Sequence, residues 1–447
     1  MDVEIPPAQD SPKHILNILN DDCIQSVLRR LDNIRDFLSA AETCVRFQEN
    51  AKLVFRTQYK TARIRQFYNY GFRKLYCSHD VIVRIHSFLS IFGHLITELD
   101  FDDNLDDDMT NMIAKYCGRT LRIFKCGNKK TKCFSSVNFS QLPRLESLEE
   151  LKIRNINIHS FQYHSQLRRL SVKGIHEHKS KMNFDWLFKT FPNLEFVKLD
   201  GLDKLTCNQA IKFFKLNPQL KSLHIRYCEH FAPRMFKNMT NFTPNLEKFV
   251  FEQIDSIYEN EYLVHVSRLQ KLKSLGIETY VPIPLGRLID SLIEKNVPIE
   301  NLLLLSHYHQ TPYESISQLK LLKKLYLRGI TDKTFIHYVK NLPKLEVLFF
   351  DESEITVNGI KAALQYAQSL SVLVVEVHNR DRISTAIDLD EYKSILNLAK
   401  SRGVKVTIYV RSGAIDVPTD FFEDNREWVN VKVGVLHINT IVRHFNE

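Results

Sequence analysis

The sequence predicts an α/β solenoid built from a repeated strand–helix unit, and three observations predict it. First, a six-residue pattern, L-x-x-L-x-L, recurs along the 447-residue chain at steps of 19 to 27 residues. Second, the residues after several copies have the apolar spacing of a helix. Third, a proline often precedes the next copy, at a position where a helix must end. The clear copies begin at Leu148, Leu167, Leu194, Leu220, Leu246, Leu272, Ile299, Leu322, Leu345 and Leu370, and weaker copies begin at Ile96 and Leu121.

Each copy of the pattern is predicted to be a short strand. Period-two alternation puts Leu223 and Ile225 on one face of a strand and His224 and Arg226 on the other. The helical spacing i, i+3, i+4, i+7 is clearest in Leu285, Leu288, Ile289 and Leu292, and the proline stops are Pro192, Pro218, Pro244 and Pro343. A strand followed by a returning helix implies parallel strands on a concave side and helices on a convex side. One such unit cannot bury its own apolar face, so the units must stack.

Several copies resemble the leucine-rich repeat of the cysteine-containing, ubiquitin-ligase type. The closest are LKSLHIRYCEHF at 220–231, LKKLYLRGITDKTF at 322–335 and LEVLFFDESEITVNGI at 345–360. The resemblance covers most of residues 121–375. The predicted fold class is therefore an α/β leucine-rich-repeat solenoid, preceded by a small helical segment.

That helical segment is predicted over residues 14–58. Ile24, Val27, Leu28 and Leu31 follow the spacing of an amphipathic helix, and the same spacing recurs from Ile34 and again from Cys44. Asn20 or Asp21 can cap the first helix. Three helices in about 45 residues cannot build a sufficient core alone. We therefore expect part of their apolar surface to be covered by a partner or by the solenoid.

The stretch from Leu19 to Phe47 also resembles an F-box. The positions that match the family pattern are Leu19, Asp22, Ile24, Val27, Leu28, Leu31, Asp36, Phe37, Cys44 and Phe47, whereas Asn20 replaces a proline and Thr43 replaces a valine. An F-box followed by leucine-rich repeats is typical of one class of substrate receptors. The alternative is that residues 14–58 are only a helical cap on the solenoid.

The resemblance implies a non-catalytic substrate-recognition subunit of an SCF-type, cullin-RING ubiquitin ligase. Such a receptor docks a Skp-family adaptor through the F-box and brings substrate lysines close to the ubiquitin thioester. The adaptor contact is then expected at Leu19, Ile24, Val27, Leu28, Leu31 and Phe37. The main alternative is a leucine-rich-repeat interaction scaffold that no longer recruits the ligase. A basic, aromatic stretch at 56–74 leaves a nucleic-acid or phosphoinositide binder as a further alternative, and a small-molecule-dependent receptor is another.

The substrate side can be predicted only from periodicity. Outward strand positions are acidic in the first repeat, at Glu98, Asp100 and Asp102. They become basic in the next repeats, at Lys152, Arg154, Arg169, Lys173, Lys198, His224 and Arg226, and apolar or aromatic later, at Leu303, Leu305, Tyr326, Phe349, Val372 and Val374. Because arginine pairs well with carboxylate and phosphate oxygens, the hypothesis is a protein substrate with an acidic or phosphorylated portion beside an apolar anchor. The alternative is a solvated charged face without a function.

Composition and the remaining motifs narrow the function classes. The net charge is +9 and hydrophobic residues make up 44%, so the chain is predicted to be globular. It contains no glycine-rich nucleotide loop, no G-x-S-x-G and no metal-ligand spacing, which predicts no enzyme activity, no cofactor and no metal. With no apolar signal segment at the start, an intracellular location in cytoplasm or nucleus is expected, without membrane contact, and nucleic acid is not the expected partner.

The predicted boundaries follow from these patterns. They are a disordered tail at 1–13, the F-box at 14–58, a junction and start of the solenoid at 59–95, the repeats at 96–410 and a C-terminal cap at 411–447.

Overall fold

The computed structural model describes the chain in two compact units, residues 1–167 and residues 168–447. The description omits residues 1–18, 32–33, 59–60, 66–78, 103–104, 106, 128–134, 140–143, 155, 162–163, 175–183, 186–187, 203, 229–233, 253–259, 280–284, 307–313, 354, 378–386, 411–414, 417–423, 434–444 and 446–447. The predicted disordered tail at 1–13 therefore lies outside the described residues.

The first unit begins with three helices, as the amphipathic spacing predicts. They are α1 (Asp21–Arg29), α2 (Ile34–Thr43) and α3 (Val45–Gln58). The remaining elements are β1 (Thr61–Arg65), α4 (His79–Phe92), β2 (Glu98–Asp102), α5 (Asp107–Cys117), β3 (Ile123–Cys126), β4 (Ser135–Phe139), β5 (Glu150–Arg154) and β6 (Ile156–Phe161). Strands β1, β2, β3 and β5 pair in that order and all in parallel. The repeat pattern therefore starts already at β1, inside the predicted junction.

The second unit consists of the remaining repeats. Its elements are β7 (Arg169–Lys173), β8 (Phe196–Asp200), α6 (Cys207–Leu216), β9 (Ser222–Arg226), α7 (Arg234–Phe242), β10 (Lys248–Glu252), β11 (Ser274–Thr279), α8 (Gly286–Glu294), β12 (Asn301–Ser306), β13 (Lys324–Arg328), α9 (Asp332–Asn341), β14 (Val347–Ser353), α10 (Val357–Tyr366), β15 (Val372–Val377), β16 (Ile387–Asp388), α11 (Leu389–Arg402), β17 (Lys405–Val410), β18 (Ile415–Asp416) and β19 (Val429–Val433). Apart from the short pair β16 and β18, these strands form one parallel sheet in chain order from β7 to β19.

The sheet register confirms the predicted leucine-rich-repeat solenoid. Neighbouring strands pair without offset over most of the sheet, so that Leu223 of β9 lies beside Phe249 of β10 and Ile225 lies beside Phe251. These four apolar side chains are at most 1% exposed. The pattern residues therefore line up from strand to strand and form the core of the stack.

The connections between strands follow the predicted helices in most repeats but not in all. Helix α8 buries Leu288, Ile289 and Leu292, as their spacing predicts. In the repeats that follow β10 and β12, 3₁₀ helices at Asn260–Arg268 and Glu314–Gln318 return the chain instead. A 3₁₀ turn winds more tightly than an α-helix, and the apolar spacing alone does not distinguish the two.

Candidate interaction surfaces

The start of α1 is fixed by side chains from α3. The Asn20 side chain accepts a hydrogen bond from the backbone N–H of Cys23 at 2.8 Å, which confirms it as the cap. Asp21 accepts from Arg46 Nε at 2.8 Å and from Asn50 Nδ2 at 3.1 Å. The hydrogen bonds from Arg46 and Asn50 lower the pKa of Asp21. Helices α1 and α3 are thus held in one arrangement.

The three helices share their core with the first helix of the repeats. Phe55 of α3 stacks on Phe92 of α4 with ring centroids 4.6 Å apart, and Phe37 of α2 lies 5.6 Å from the same ring. Phe88 of α4 meets Phe55 edge-on at 5.9 Å. Phe37, Phe55 and Phe92 are at most 1% exposed. The helical segment therefore completes its core on α4, as its small size requires.

This packing corrects part of the predicted adaptor contact. Ile24 and Leu28 of α1 and Phe37 of α2 are at most 1% exposed, so they are not available to a partner. Helix α3 packs against α1, and the Phe92 ring of α4 packs against Phe37, so these apolar side chains face the interior of the unit. Leu19 and Leu31 are half-buried, and Val27 is 52% exposed.

Two further exposed apolar side chains lie on α3 and were not predicted as contacts. Val45 is 76% exposed and Leu53 is 51% exposed. Eight residues of helix place them about 80° apart around the axis, so they point into the same quadrant. The sequence signal was present, since both lie off the inward stripe of Ala51 and Val54.

The polar face of the first-unit sheet is internally paired. Arg154 of β5 forms an ion pair with Asp100 of β2, and Lys125 of β3 forms one with Glu98 of β2. Lys152 pairs with Glu150 on its own strand. The Asp100 side chain is only 3% exposed. The predicted substrate role of Arg154 is therefore corrected to a cross-strand partner of Asp100, while Lys152 stays half-exposed.

In the second unit, we call the side of the sheet that carries Lys198, His224, Tyr326 and Phe349 the sheet face. Arg169 and Lys173 of β7 lie on this face and are exposed. The Arg169 guanidinium lies 4.2 Å from the centroid of the Phe196 ring, a cation–π contact that orients it. Lys198 is half-buried, and burial lowers the pKa of its amine despite the attraction of Glu252 and Asp200. In the second unit, these three cations remain the accessible part of the predicted basic region.

His224 and Arg226 are held by a buried carboxylate. His224 Nε2 lies 2.7 Å from Glu252 Oε1, and Arg226 Nε lies 3.1 Å from Glu252 Oε2. Burial lowers the pKa of His224 and outweighs the attraction of Glu252. Burial alone would raise the pKa of Glu252, but His224 and Arg226 together lower it. The predicted substrate role of His224 is corrected to an internal one, since it is 4% exposed.

The predicted aromatic positions Tyr326 and Phe349 are also covered. Their rings stack at 4.9 Å, and both are at most 3% exposed. They belong to one cluster with Val250, Leu303, Leu305, Val374 and Phe445. Phe445 comes from the end of the chain and lies over the sheet face. The prediction that these aromatic side chains are exposed to a partner is therefore corrected, because Phe445 covers them.

The described residues contain neither a group of metal-ligating side chains nor a membrane-spanning helix. Among them, no three His, Cys, Asp or Glu side chains are grouped to hold a metal ion. Within the same ranges, no helix combines the length and the apolar character needed to cross a membrane.

The parallel sheet of repeats and the three helices before it define the class of protein: an α/β leucine-rich-repeat protein with a helical N-terminal segment. No protein-family model and no curated protein sequence matches the chain. Among solved structures, a chain in the crystal structure of the Rad7 and Elc1 complex in yeast is similar to it. The two are 15% identical over 95% of this chain and 94% of that chain, with a TM-score of 0.49. The fold assignment rests on the repeat pattern and the sheet register, not on this similarity.

Proposed function

We propose that this chain is a non-catalytic substrate receptor of a cullin-RING ubiquitin ligase. In this proposal helices α1 to α3 dock a Skp-family adaptor, and the repeats capture a protein substrate. The support is the F-box resemblance of residues 19–47 directly before a leucine-rich-repeat solenoid. The receptor itself transfers nothing; it raises the effective concentration of substrate lysines near the ubiquitin thioester.

One observation carries the adaptor half of the proposal. In the described part of the chain, five large hydrophobic side chains are exposed: Val27, Val45, Leu53, Leu321 and Tyr366. Three of the five lie on α1 and α3, outside the core that the segment shares with α4. Apolar side chains that a folded segment leaves in water favour a partner that covers them. Val27, Val45 and Leu53 therefore replace Ile24, Leu28 and Phe37 as the proposed contacts.

The substrate half of the proposal uses the accessible cations of the sheet face. Arg169 and Lys173 of β7 are exposed on the sheet face. An acidic or phosphorylated segment would gain charge-assisted hydrogen bonds there. Arg154 and Arg226 are less suitable, because Asp100 and Glu252 already neutralise them.

A binding measurement with matched variants tests the adaptor contact. The full chain is titrated with a purified Skp-family adaptor, and Leu53→Glu is compared with Leu321→Glu. Both leucines are about half exposed, at 51% and 43%, so both variants should fold, but only Leu53 lies in the helical segment. We expect Leu53→Glu to weaken the affinity by about tenfold or more, since a carboxylate would be desolvated against apolar surface. Leu321→Glu should bind like the wild type.

The outcomes separate the two leading functions. Equal adaptor affinity of Leu53→Glu and wild type would exclude the proposed contact surface. A folded wild-type chain that binds no Skp-family adaptor would favour the repeat scaffold that does not recruit a ligase.

A further inference from the structure

An aromatic residue from the end of the chain occupies the middle of the sheet face. Phe445 is 3% exposed and packs in one cluster with Val250, Leu303, Tyr326, Phe349 and Val374. These five residues come from β10, β12, β13, β14 and β15, where each occupies the same position in the register. Between β10 and β15, the one further member of this row is Gly276 of β11. Phe445 therefore covers this apolar row at the position of Gly276, the one residue of the row that has no side chain.

The missing side chain of Gly276 makes room for the Phe445 ring. A Cβ atom built on Gly276 would lie 3.0 Å from Phe445 Cε1 and 3.2 Å from Val250 Cγ1. Any larger side chain would occupy the space that the ring uses. A glycine inside a strand weakens the strand and often marks a close approach by another group. Here the approaching group is a phenylalanine.

Polar and aromatic contacts also orient Phe445 in this apolar site. Tyr326 meets the Phe445 ring edge-on, with centroids 5.5 Å apart and planes at 90°. Lys248 Nζ donates a hydrogen bond to the Phe445 backbone carbonyl at 3.1 Å and lies 5.1 Å from the ring centroid. The site thus contacts both the side chain and the backbone of one residue, as a peptide-recognition site does. Burial lowers the pKa of Lys248 to about 8, so the amine gives up hydration to make these contacts.

The contact is long-range but within reach of the chain. Phe445 follows Val433, the last residue of β19, by 12 positions. Strand β11 lies six strands away from β19 in the sheet, a distance of about 29 Å at about 4.8 Å per strand. Twelve residues span up to about 40 Å when extended. A tethered residue of this kind has an effective concentration in the millimolar range, which a ligand in solution must overcome.

We propose that this position is a binding site for an aromatic residue of a peptide segment, occupied in the free protein by Phe445 as an intramolecular ligand. A protein ligand of the sheet face would displace Phe445 and place its own aromatic side chain between Val250, Gly276 and Tyr326, with a backbone carbonyl on Lys248. The inference rests on the proposed function only in identifying this ligand with the substrate. The site itself does not depend on adaptor binding.

The first test uses a labelled peptide of residues 438–447 of this chain and fluorescence anisotropy. The Phe445→Ala full-length protein, whose site is empty, should bind the peptide at least about tenfold tighter than the wild type does. A peptide with alanine at the Phe445 position should bind neither protein. The double variant Phe445→Ala with Gly276→Val should lose the peptide, because the valine side chain fills the site. A folded Phe445→Ala protein that binds no peptide, or binds it equally well with Gly276→Val, would overturn the proposal.

The second test needs no substitution at Phe445 and applies even if Phe445→Ala does not fold. Carboxypeptidase trimming of the intact chain is followed by mass spectrometry. In the wild type, the protease should remove the residues that follow Phe445 and then stop. The Gly276→Val variant should release Phe445 at least about tenfold faster than the wild type. Thr407→Val, in the same row of the sheet, is the matched control and should behave like the wild type. Equal release of Phe445 from wild type and Gly276→Val would overturn the proposal.

The affinity of the same variants for the adaptor should be unchanged. Failure of the peptide site and failure of the ligase role are therefore distinguishable.

Discussion

Phe55 of α3 and Phe92 of α4 stack at 4.6 Å with an interplanar angle of 18°. This contact joins the helical segment to the first helix of the repeats within one unit. It also means that the segment has no separate core, since Phe37 packs on the same Phe92 ring. Adaptor binding should therefore be measured on the full chain.

The first prediction concerns the stability of this shared core. Phe92→Ala removes the ring that Phe37, Phe55 and Phe88 all contact, and we expect it to cost about 3 to 5 kcal/mol. Amide hydrogen exchange of α2 and α3, measured by mass spectrometry, should speed up accordingly. Val45→Ala is the control, because a 76% exposed side chain should matter by less than about 0.5 kcal/mol. Unchanged protection of α2 and α3 in Phe92→Ala would show that α4 does not support them.

The second prediction separates folding from binding on α1. Leu28→Asp buries a carboxylate at a position that is 0% exposed, and should destabilise the unit by about 4 kcal/mol or more. Val27→Asp, on the adjacent 52% exposed residue, should change stability by less than about 0.5 kcal/mol. Circular dichroism and hydrogen exchange of α1 measure the difference. If both variants keep the wild-type hydrogen-exchange protection of α1, burial of Leu28 does not stabilise the helix.

The strands could be predicted from the sequence because their signal is local. The alternation around Leu223 and Ile225 is sufficient to place a strand and its buried side, and the structure confirms it. The same holds for the Asn20 cap. A repeat also needs only its neighbours to form, so no distant contact had to be known.

Exposure could not be predicted in the same way, because it depends on distant parts of the chain. Tyr326 lies on the predicted outward side of its strand, yet Phe445 covers it. Likewise, the stripe of Ile24 and Leu28 indicates an apolar helix face but not whether α3 or a partner covers it. The cross-strand pair of Arg154 with Asp100 joins residues 54 positions apart and gives no periodic signal. The site residues were therefore harder to predict than the fold.

The third prediction concerns Asn217, a buried polar residue that the leucine pattern does not include. Its side chain accepts from the Phe191 backbone N–H at 2.8 Å and donates to the Phe213 and Lys189 carbonyls at 2.9 and 3.2 Å. Asn217→Ala leaves these buried groups unsatisfied and should cost about 1 to 3 kcal/mol or more. Asn217→Asp keeps the acceptor but sets a carboxylate against two carbonyls, so it should be worse. Urea unfolding of the variants measures both effects.

The control for Asn217 lies one repeat further along the chain. Asn245 makes an exposed hydrogen bond to the Pro218 carbonyl at 3.3 Å, so Asn245→Ala should be nearly neutral. Equal unfolding midpoints for Asn217→Ala and Asn245→Ala would contradict the role of the buried amide.

The last prediction is a pH dependence of stability that comes from His224. Burial lowers its pKa in the folded protein below the ordinary value of 6.5, so the folded state holds the imidazole neutral while the unfolded state gains a proton first as the pH falls. The contribution of His224 is therefore fully present above about pH 6.5 and is lost as the pH falls toward the lowered pKa. The slope is about 1.4 kcal/mol for each pH unit over which only the unfolded state is protonated. Glu252 stays charged in this window, because its own pKa is lowered, and Lys198 and Arg226 keep their charges.

His224→Gln isolates this contribution. Glutamine cannot titrate, so the free energy of unfolding of the variant should fall less steeply between pH 6.5 and pH 5 than that of the wild type. Urea unfolding at a series of pH values gives the two curves. His164 and His265 also have lowered pKa values from burial and contribute a slope to both proteins, so only the difference reports on His224. Parallel curves would mean that His224 has the same pKa in the folded and unfolded states, which contradicts its burial beside Glu252.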